Sequence, residues 1–180
     1  MNEVIQAILR RTGLKAYADR EVERDKLETI LRCGAAAPSA MNKQLGRMVA
    51  VTDRKLLSEL DKEVLKAYAK YKGFQAPEGY HAFHGAPVLI LVSEPKDSEY
   101  RLQNGACINE NMALAAVSLG LGSRFLDWPN CFFNSEEGRD CKARLHIPED
   151  HETVCFLALG YPADPGYIPT AKNEGRYEIL

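Results

Sequence analysis

The sequence predicts an α+β fold, a central sheet wrapped by helices. Two observations carry the prediction. Helical patterns come first, after which strands and helices mix, as expected when helices cover a sheet. One later helix is apolar nearly all round, which demands burial on most of its sides. The 180 residues suit one domain spanning 1–180.

Residues 3–11 read as a short helix with Val4, Ile5, Ala7, Ile8 and Leu9 mostly on one side. Arg11-Thr12-Gly13-Leu14-Lys15 breaks that pattern, and Gly13 permits an unusual backbone angle or a close approach. A second helix over about 23–36 places Leu27, Ile30, Leu31 and Ala35 at helical spacing, and Pro38 marks its exit. Residues 48–52 read as a strand. A charged helix follows over 54–71 with Leu56, Leu57, Leu60, Val64, Leu65 and Tyr68 on one stripe. The Gly-, Pro- and His-rich stretch 72–86 reads as a loop, and Pro87 opens the apolar strand Val88–Val92. The helix at 103–119 is the one apolar nearly all round in its C-terminal half, which points to a second subunit; Gly120 and Gly122 follow as caps. The last predicted strand is 154–160. The tail 162–180 has no core pattern and suits an extended arm reaching onto a partner.

Charge and cysteines narrow the function classes. The 23 basic and 25 acidic side chains nearly balance, which argues against a nucleic-acid partner. No apolar run approaches the ~20 residues that span a bilayer, and Met1-Asn2-Glu3 does not open a signal peptide. Five widely spaced cysteines without a C-x-x-C suit reduced thiols in the cytoplasm. His81 and His84 are three apart in a loop with no third ligand in view, so no metal is expected.

Two clusters carry candidate chemistry. Arg10-Arg11-Thr12-Gly13-Leu14-Lys15 combines cations, a hydroxyl and flexible backbone, a mixture that suits a phosphate. A solvated basic helix end fits the same residues. Ala37-Pro38-Ser39-Ala40-Met41-Asn42-Lys43-Gln44 holds uncharged side chains that both donate and accept, as the mixed edge of a flavin pyrimidine requires. An ordinary polar loop fits these residues too. Leu119-Gly120-Leu121-Gly122-Ser123-Arg124-Phe125 is no dinucleotide turn: it lacks the third glycine and follows a helix instead of a strand.

Taken together, these segments resemble the nitroreductase family of FMN-dependent oxidoreductases. Arg11-Thr12-Gly13-Leu14-Lys15-Ala16-Tyr17 is similar to the family's N-terminal phosphate motif. Ala-Pro-Ser-x-x-Asn-x-Gln, the most specific piece, is matched by residues 37–44. Gly85-Ala86-Pro87-Val88-Leu89-Ile90, then Asn111–Ala116 with Leu119–Ser123, then Leu159-Gly160-Tyr161-Pro162 follow in the family's order. The resemblance implies a central, mostly antiparallel sheet and an intertwined homodimer with FMN at its interface. Arg11 and Lys172 would hold the FMN phosphate, with backbone help from Thr12 and Gly13. Lys15 would lie near the ribityl chain or pyrimidine edge. Pro38, Ser39 and Asn42, with Gln44 beside them, would line the flavin from the other subunit, and backbone at Leu126 and Asp127 would face its N5 region.

The activity implied is hydride transfer from NADH or NADPH through the flavin to a small acceptor such as a nitroaromatic or quinone, with no catalytic side chain required. Three positions depart from the family's pattern. Gly13 stands where serine is usual, Leu45-Gly46 where Pro-Trp is common, and Lys172 where arginine is common. A hydrogen bond to a charged group is worth about 1.5–3 kcal/mol net, so the missing hydroxyl predicts a weaker phosphate grip. The departures also admit an alternative, a non-catalytic flavin carrier or sensor.

Overall fold

The computed structural model describes residues 1–173 and 175–180. Glu174, inside the predicted arm, lies outside the described residues. Four antiparallel strands form the sheet: β1 (Arg47–Val51), β2 (Val88–Pro95), β3 (Gly122–Leu126) and β4 (His151–Gly160), in the order β1-β2-β4-β3. The α+β expectation holds, and the sheet is antiparallel throughout.

The two central strands are covered on both faces, which explains why β2 begins as an unbroken apolar run instead of alternating. Leu89 and Leu91 of β2 and Phe156 and Ala158 of β4 point to a layer built from α3 (Arg54–Lys72), α5 (Asn130–Phe133) and α6 (Arg139–Arg144). Val88, Ile90 and Val92, with Leu157 and Leu159, point the other way, onto α2 (Arg24–Ala35) and α4 (Arg101–Ser118). A bulge at Val92/Ser93 interrupts the register, pairing Val92 with Cys155 but Ser93 with Thr153.

Local chemistry sets the ends of the helices. Asp53 caps α3 by accepting the Leu56 N–H at 2.7 Å, and Gly73 closes it at φ 68°. Leu57, Leu60 and Val64 of the predicted stripe are buried together with Ala67, flanked by half-buried Leu56, Leu65 and Tyr68. Gly120 (φ 76°) ends α4: Leu121 N–H reaches Ala116 O at 2.8 Å and Gly120 N–H reaches Val117 O at 3.1 Å. Gly122 is not a cap, contrary to the sequence reading. It opens β3, and its missing side chain makes room for Leu14.

Other differences have plain causes. The strand predicted at 88–92 runs on to Pro95, and the strand predicted at 154–160 starts at His151. Their polar ends, Ser93-Glu94 and His151-Glu152-Thr153, hide the pairing from a hydropathy reading. Helices α5 and α6 are too short for a periodic signal.

Two apolar surfaces remain open in the single chain. On α1 (Glu3–Arg10) only Ala7 is buried, while Val4, Ile5, Ile8 and Leu9 are exposed. On α4, Leu114 and Val117 are half-buried and lie outside the buried face of Ile108, Met112, Ala113 and Ala116. Tail residues Ile168, Tyr177, Ile179 and Leu180 are exposed as well. Among the described residues, no helix is long and apolar enough to cross a membrane.

Candidate functional site

The segment after α1 runs as an extended chain beside β3. Gly13 bridges to Ser123 in parallel, Leu14 N–H donates to Ser123 O at 3.0 Å, and buried Leu14 fills the notch at Gly122. Farther on, Ala18 N–H reaches Tyr161 O at 2.9 Å and the Tyr17 hydroxyl donates to Ala158 O at 3.1 Å. Burial pushes the Tyr17 phenol well above its ordinary range, so it stays neutral. Two isolated bridges, Gly13 to Ser123 and Tyr17 to Pro162, and these hydrogen bonds therefore dock the 11–17 segment along β3 and the end of β4.

This docking gathers part of the first cluster. Thr12 is buried, and its hydroxyl meets the Thr170 hydroxyl at 3.3 Å and accepts the Thr170 N–H at 3.4 Å. Lys172 Nζ donates to Arg11 O at 3.4 Å. Residues 11–12 and 170–172, distant in sequence, thus form one small basic corner. Arg11 pairs with Glu110 of α4 at 3.2 Å, whereas Lys15 is exposed and has no ion pair among the described residues. Gly13 does not adopt the unusual angle that the sequence allowed: its φ lies outside the left-handed region, and a Cβ there would make only ordinary contacts.

The second cluster is a separate loop under evident constraint. Ala40–Asn42 form one 3₁₀ turn, and Met41, Asn42 and Gln44 all have positive φ, 54°, 53° and 52°. Non-glycine residues sit there at a cost and need support from their surroundings. The Ser39 hydroxyl accepts Gln44 N–H at 3.0 Å, and the Gln44 amide donates to Asn42 Oδ1 at 2.8 Å. From α4, Asn104 accepts Ala40 N–H at 3.0 Å and donates to Glu94 at 3.4 Å. Glu94 is wholly buried, its other oxygen has no partner, and burial raises its pKa. It borders a cavity of about 140 Å³ whose lining includes Pro38, Ser39, Gln44 and Gly46. A Cβ on Gly46 would stand 2.6 Å from both Glu94 Oε1 and Ile108 Cδ1, so these two side chains fill the space beside the bare residue 46.

Leu126 is buried at the end of β3, and Asp127 follows it exposed. No hydrogen bond or ion pair joins the 11–15 cluster to the 38–44 loop among the described residues. Both are instead tied to α4, at Glu110 and Asn104. His81 Nδ1 lies 3.5 Å from Asp61, while His84 turns to the Tyr80 ring.

One residue at the site escaped the sequence reading. Arg124 of β3 lies against Gly13, and its Nε is buried without a partner. Its only signal was a cation in an otherwise apolar strand.

The nitroreductase family pattern matches residues 8–161. A protein of Archaeoglobus fulgidus, provisionally named NADH dehydrogenase/NAD(P)H nitroreductase, is 29% identical over 91% of this chain and 88% of its own length. The crystal structure of a Bacteroides fragilis nitroreductase with bound FMN is 32% identical over the full length of both chains, with a TM-score of 0.92. An FMN-bound nitroreductase of Desulfitobacterium hafniense shares the fold at a TM-score of 0.88 and 24% identity, across all of this chain and 99% of its own. Matched in sequence over most of its length and in fold over all of it, the chain belongs to the nitroreductase family.

Proposed function

We propose that this chain is an FMN-dependent oxidoreductase that draws on NADH or NADPH and reduces a nitroaromatic, quinone or similar small acceptor. The observation that carries this reading is the basic corner where Arg11, Thr12 and Lys172 converge, with Lys15 unpaired beside it. A guanidinium and an ammonium brought together beside exposed backbone suit a phosphate monoester. The buried, unpartnered Nε of Arg124 is a further sign that the residues present suit an anion. The FMN in the Bacteroides fragilis relative supports the choice of anion.

Bound flavin supplies the redox chemistry, exchanging a hydride equivalent at N5 between nicotinamide and acceptor. The chain's own groups bind and orient. Arg11 and Lys172 hold the phosphate, which requires Arg11 to share or release Glu110, and backbone at Thr12 and Gly13 completes the grip. Lys15 sits at the ribityl chain or pyrimidine edge, where a cation favours the anionic reduced ring. Pro38, Ser39, Asn42 and Gln44 line the ring from the partner subunit, their positive-φ loop held in shape by Asn104. Backbone at Leu126 and Asp127 faces N5.

The open apolar faces of α1 and α4 support a homodimer of single 1–180 domains, with 162–180 as the exchanged arm. Five free thiols suit the cytoplasm. NAD(P)H oxidation with FMN in excess tests the reading. Turnover well above free flavin supports it. Turnover at the free-flavin level, with FMN bound, favours the carrier or sensor reading that the substituted Gly13, Leu45-Gly46 and Lys172 allow.

A further inference from the structure

We propose that Arg124 is a cofactor ligand: its guanidinium reaches the FMN phosphate across Gly13 and supplies the donor that residue 13 lacks. The inference rests on the FMN reading above and adds to it a residue from a different element.

Geometry comes first. A Cβ built on Gly13 would stand 3.7 Å from Arg124 Nη1 and 3.9 Å from Arg124 Cγ. The arginine therefore lies along the face of Gly13 from which a serine hydroxyl would project. Backbone does not require glycine here, since φ at residue 13 is not left-handed. Nor do sterics, because both distances are ordinary van der Waals contact. What glycine's bareness does provide is that no side chain of residue 13 stands between the backbone there and the Arg124 head group.

The register between the two segments is fixed. The Gly13–Ser123 bridge, the Leu14 N–H bond to Ser123 O and the packing of Leu14 into the Gly122 notch flank the contact. The backbone of Arg124 cannot shift along the 13–14 segment without undoing all three.

Electrostatics point the same way. Arg124 Nε is buried with no hydrogen-bond partner, and among the described residues the side chain has no ion pair. Arg124 pairs with Ala158 in the sheet, and Tyr17 donates its hydroxyl to that same residue's carbonyl. Tyr17 and His84 feel the guanidinium charge, and His84 also feels Lys15 and the carboxylate of Asp61, which itself lies 3.5 Å from His81 Nδ1. Among the described residues, none of these groups pairs with Arg124. A buried donor on a cation is costly when left unpaired, and an anionic ligand is what would satisfy it. A guanidinium also replaces a hydroxyl with advantage, since it is charged and can grip two phosphate oxygens at once.

The test compares FMN with riboflavin, which has the same ring and no phosphate. Flavin fluorescence titrations give the affinity of each for wild type, Arg124→Met and Arg124→Ala, and thermal melts check the fold. Methionine keeps an apolar stem in place if alanine destabilises the strand. FMN affinity should fall roughly ten- to a hundred-fold in both variants, the size of one charged hydrogen bond, while riboflavin affinity changes less than about twofold. Adding Gly13→Ser to Arg124→Met should recover part of the loss. Unchanged FMN affinity in both variants, or equal losses for FMN and riboflavin, would overturn the assignment. A wild-type protein that binds neither flavin would instead overturn the FMN reading itself.

Discussion

Replacing Gly122 with alanine presses directly on Leu14, in the segment that carries the proposed phosphate corner. The new Cβ would stand 2.6 Å from Leu14 Cγ, with Cδ1 closer still. Carbon atoms prefer about 3.5–4.0 Å, so Leu14 must retreat by about 1 Å or more. It has little room: Leu14 is buried, and the N–H of the same residue is fixed to Ser123 O. Overpacking of this kind costs about 1–3 kcal/mol. In a chain of this size each kcal/mol moves the melting midpoint by about 2–4 °C, so Tm should fall by roughly 2–12 °C. Because Gly13 and Leu14 dock on the same strand, FMN affinity should weaken as well. Leu14→Ala alone removes a buried side chain and costs about 2–5 kcal/mol. The double variant should be less destabilised than the sum of the two, since the methyl added at position 122 then occupies space that Leu14 vacates, with a coupling of about 0.5–3 kcal/mol. Urea or thermal unfolding of the four proteins closes the cycle. An unchanged midpoint for Gly122→Ala, or strictly additive single variants, would refute the packing of the phosphate segment on β3.

Glu94 should leave a signature in stability against pH. Burial raises its pKa above the ordinary 4.5, so from that value up to its raised one the folded state holds a proton that the unfolded chain has lost. Its stabilisation is complete below that window and declines as pH rises through it. Urea midpoints across this range should fall more steeply for wild type than for Glu94→Gln, and parallel curves would contradict the upward shift. Glu23 has the opposite sign: the Tyr161 hydroxyl at 2.6 Å leads the groups that lower its pKa to about 2. Its contribution is present above 4.5 and is lost as pH falls toward about 2. In Tyr161→Phe an NMR titration should show Glu23 moving back toward the ordinary carboxylate value, and no movement would remove Tyr161 as the cause. The exposed apolar face of α1 predicts that Ile8→Asp weakens self-association. Light scattering should show a wild-type dimer and a shift to monomer in the variant; a wild-type monomer at micromolar concentration would refute the dimer.

How much of this was legible in the sequence varies with the length scale of the signal. The stripe on α3, the apolar start of β2 and the small-residue end of α4 repeat a pattern over many residues, so the layers around the sheet could be read directly. The short helices α5 and α6 carry too few turns to show a period. Glu94 sits in a strand whose last residues look like loop, and only the bulge and Asn104 reveal why a carboxylate is tolerated there. The motifs at 11–17 and 37–44 pointed to the candidate site, yet they could not show how the fold arranges those residues. Thr170 and Lys172 meet residues 11–12 through tertiary folding, and Arg124 gains meaning only from the bareness of Gly13. The departure at Gly13, read alone, predicts a weakened phosphate grip, whereas in the fold a cation already stands beside the gap.

The visible absorption spectrum of the purified protein, before and after adding FMN and after denaturation, tests the central claim most directly. The account predicts a yellow protein whose flavin band shifts on binding, saturates at one FMN per chain and is released on denaturation. A colourless protein that FMN cannot reconstitute would contradict it.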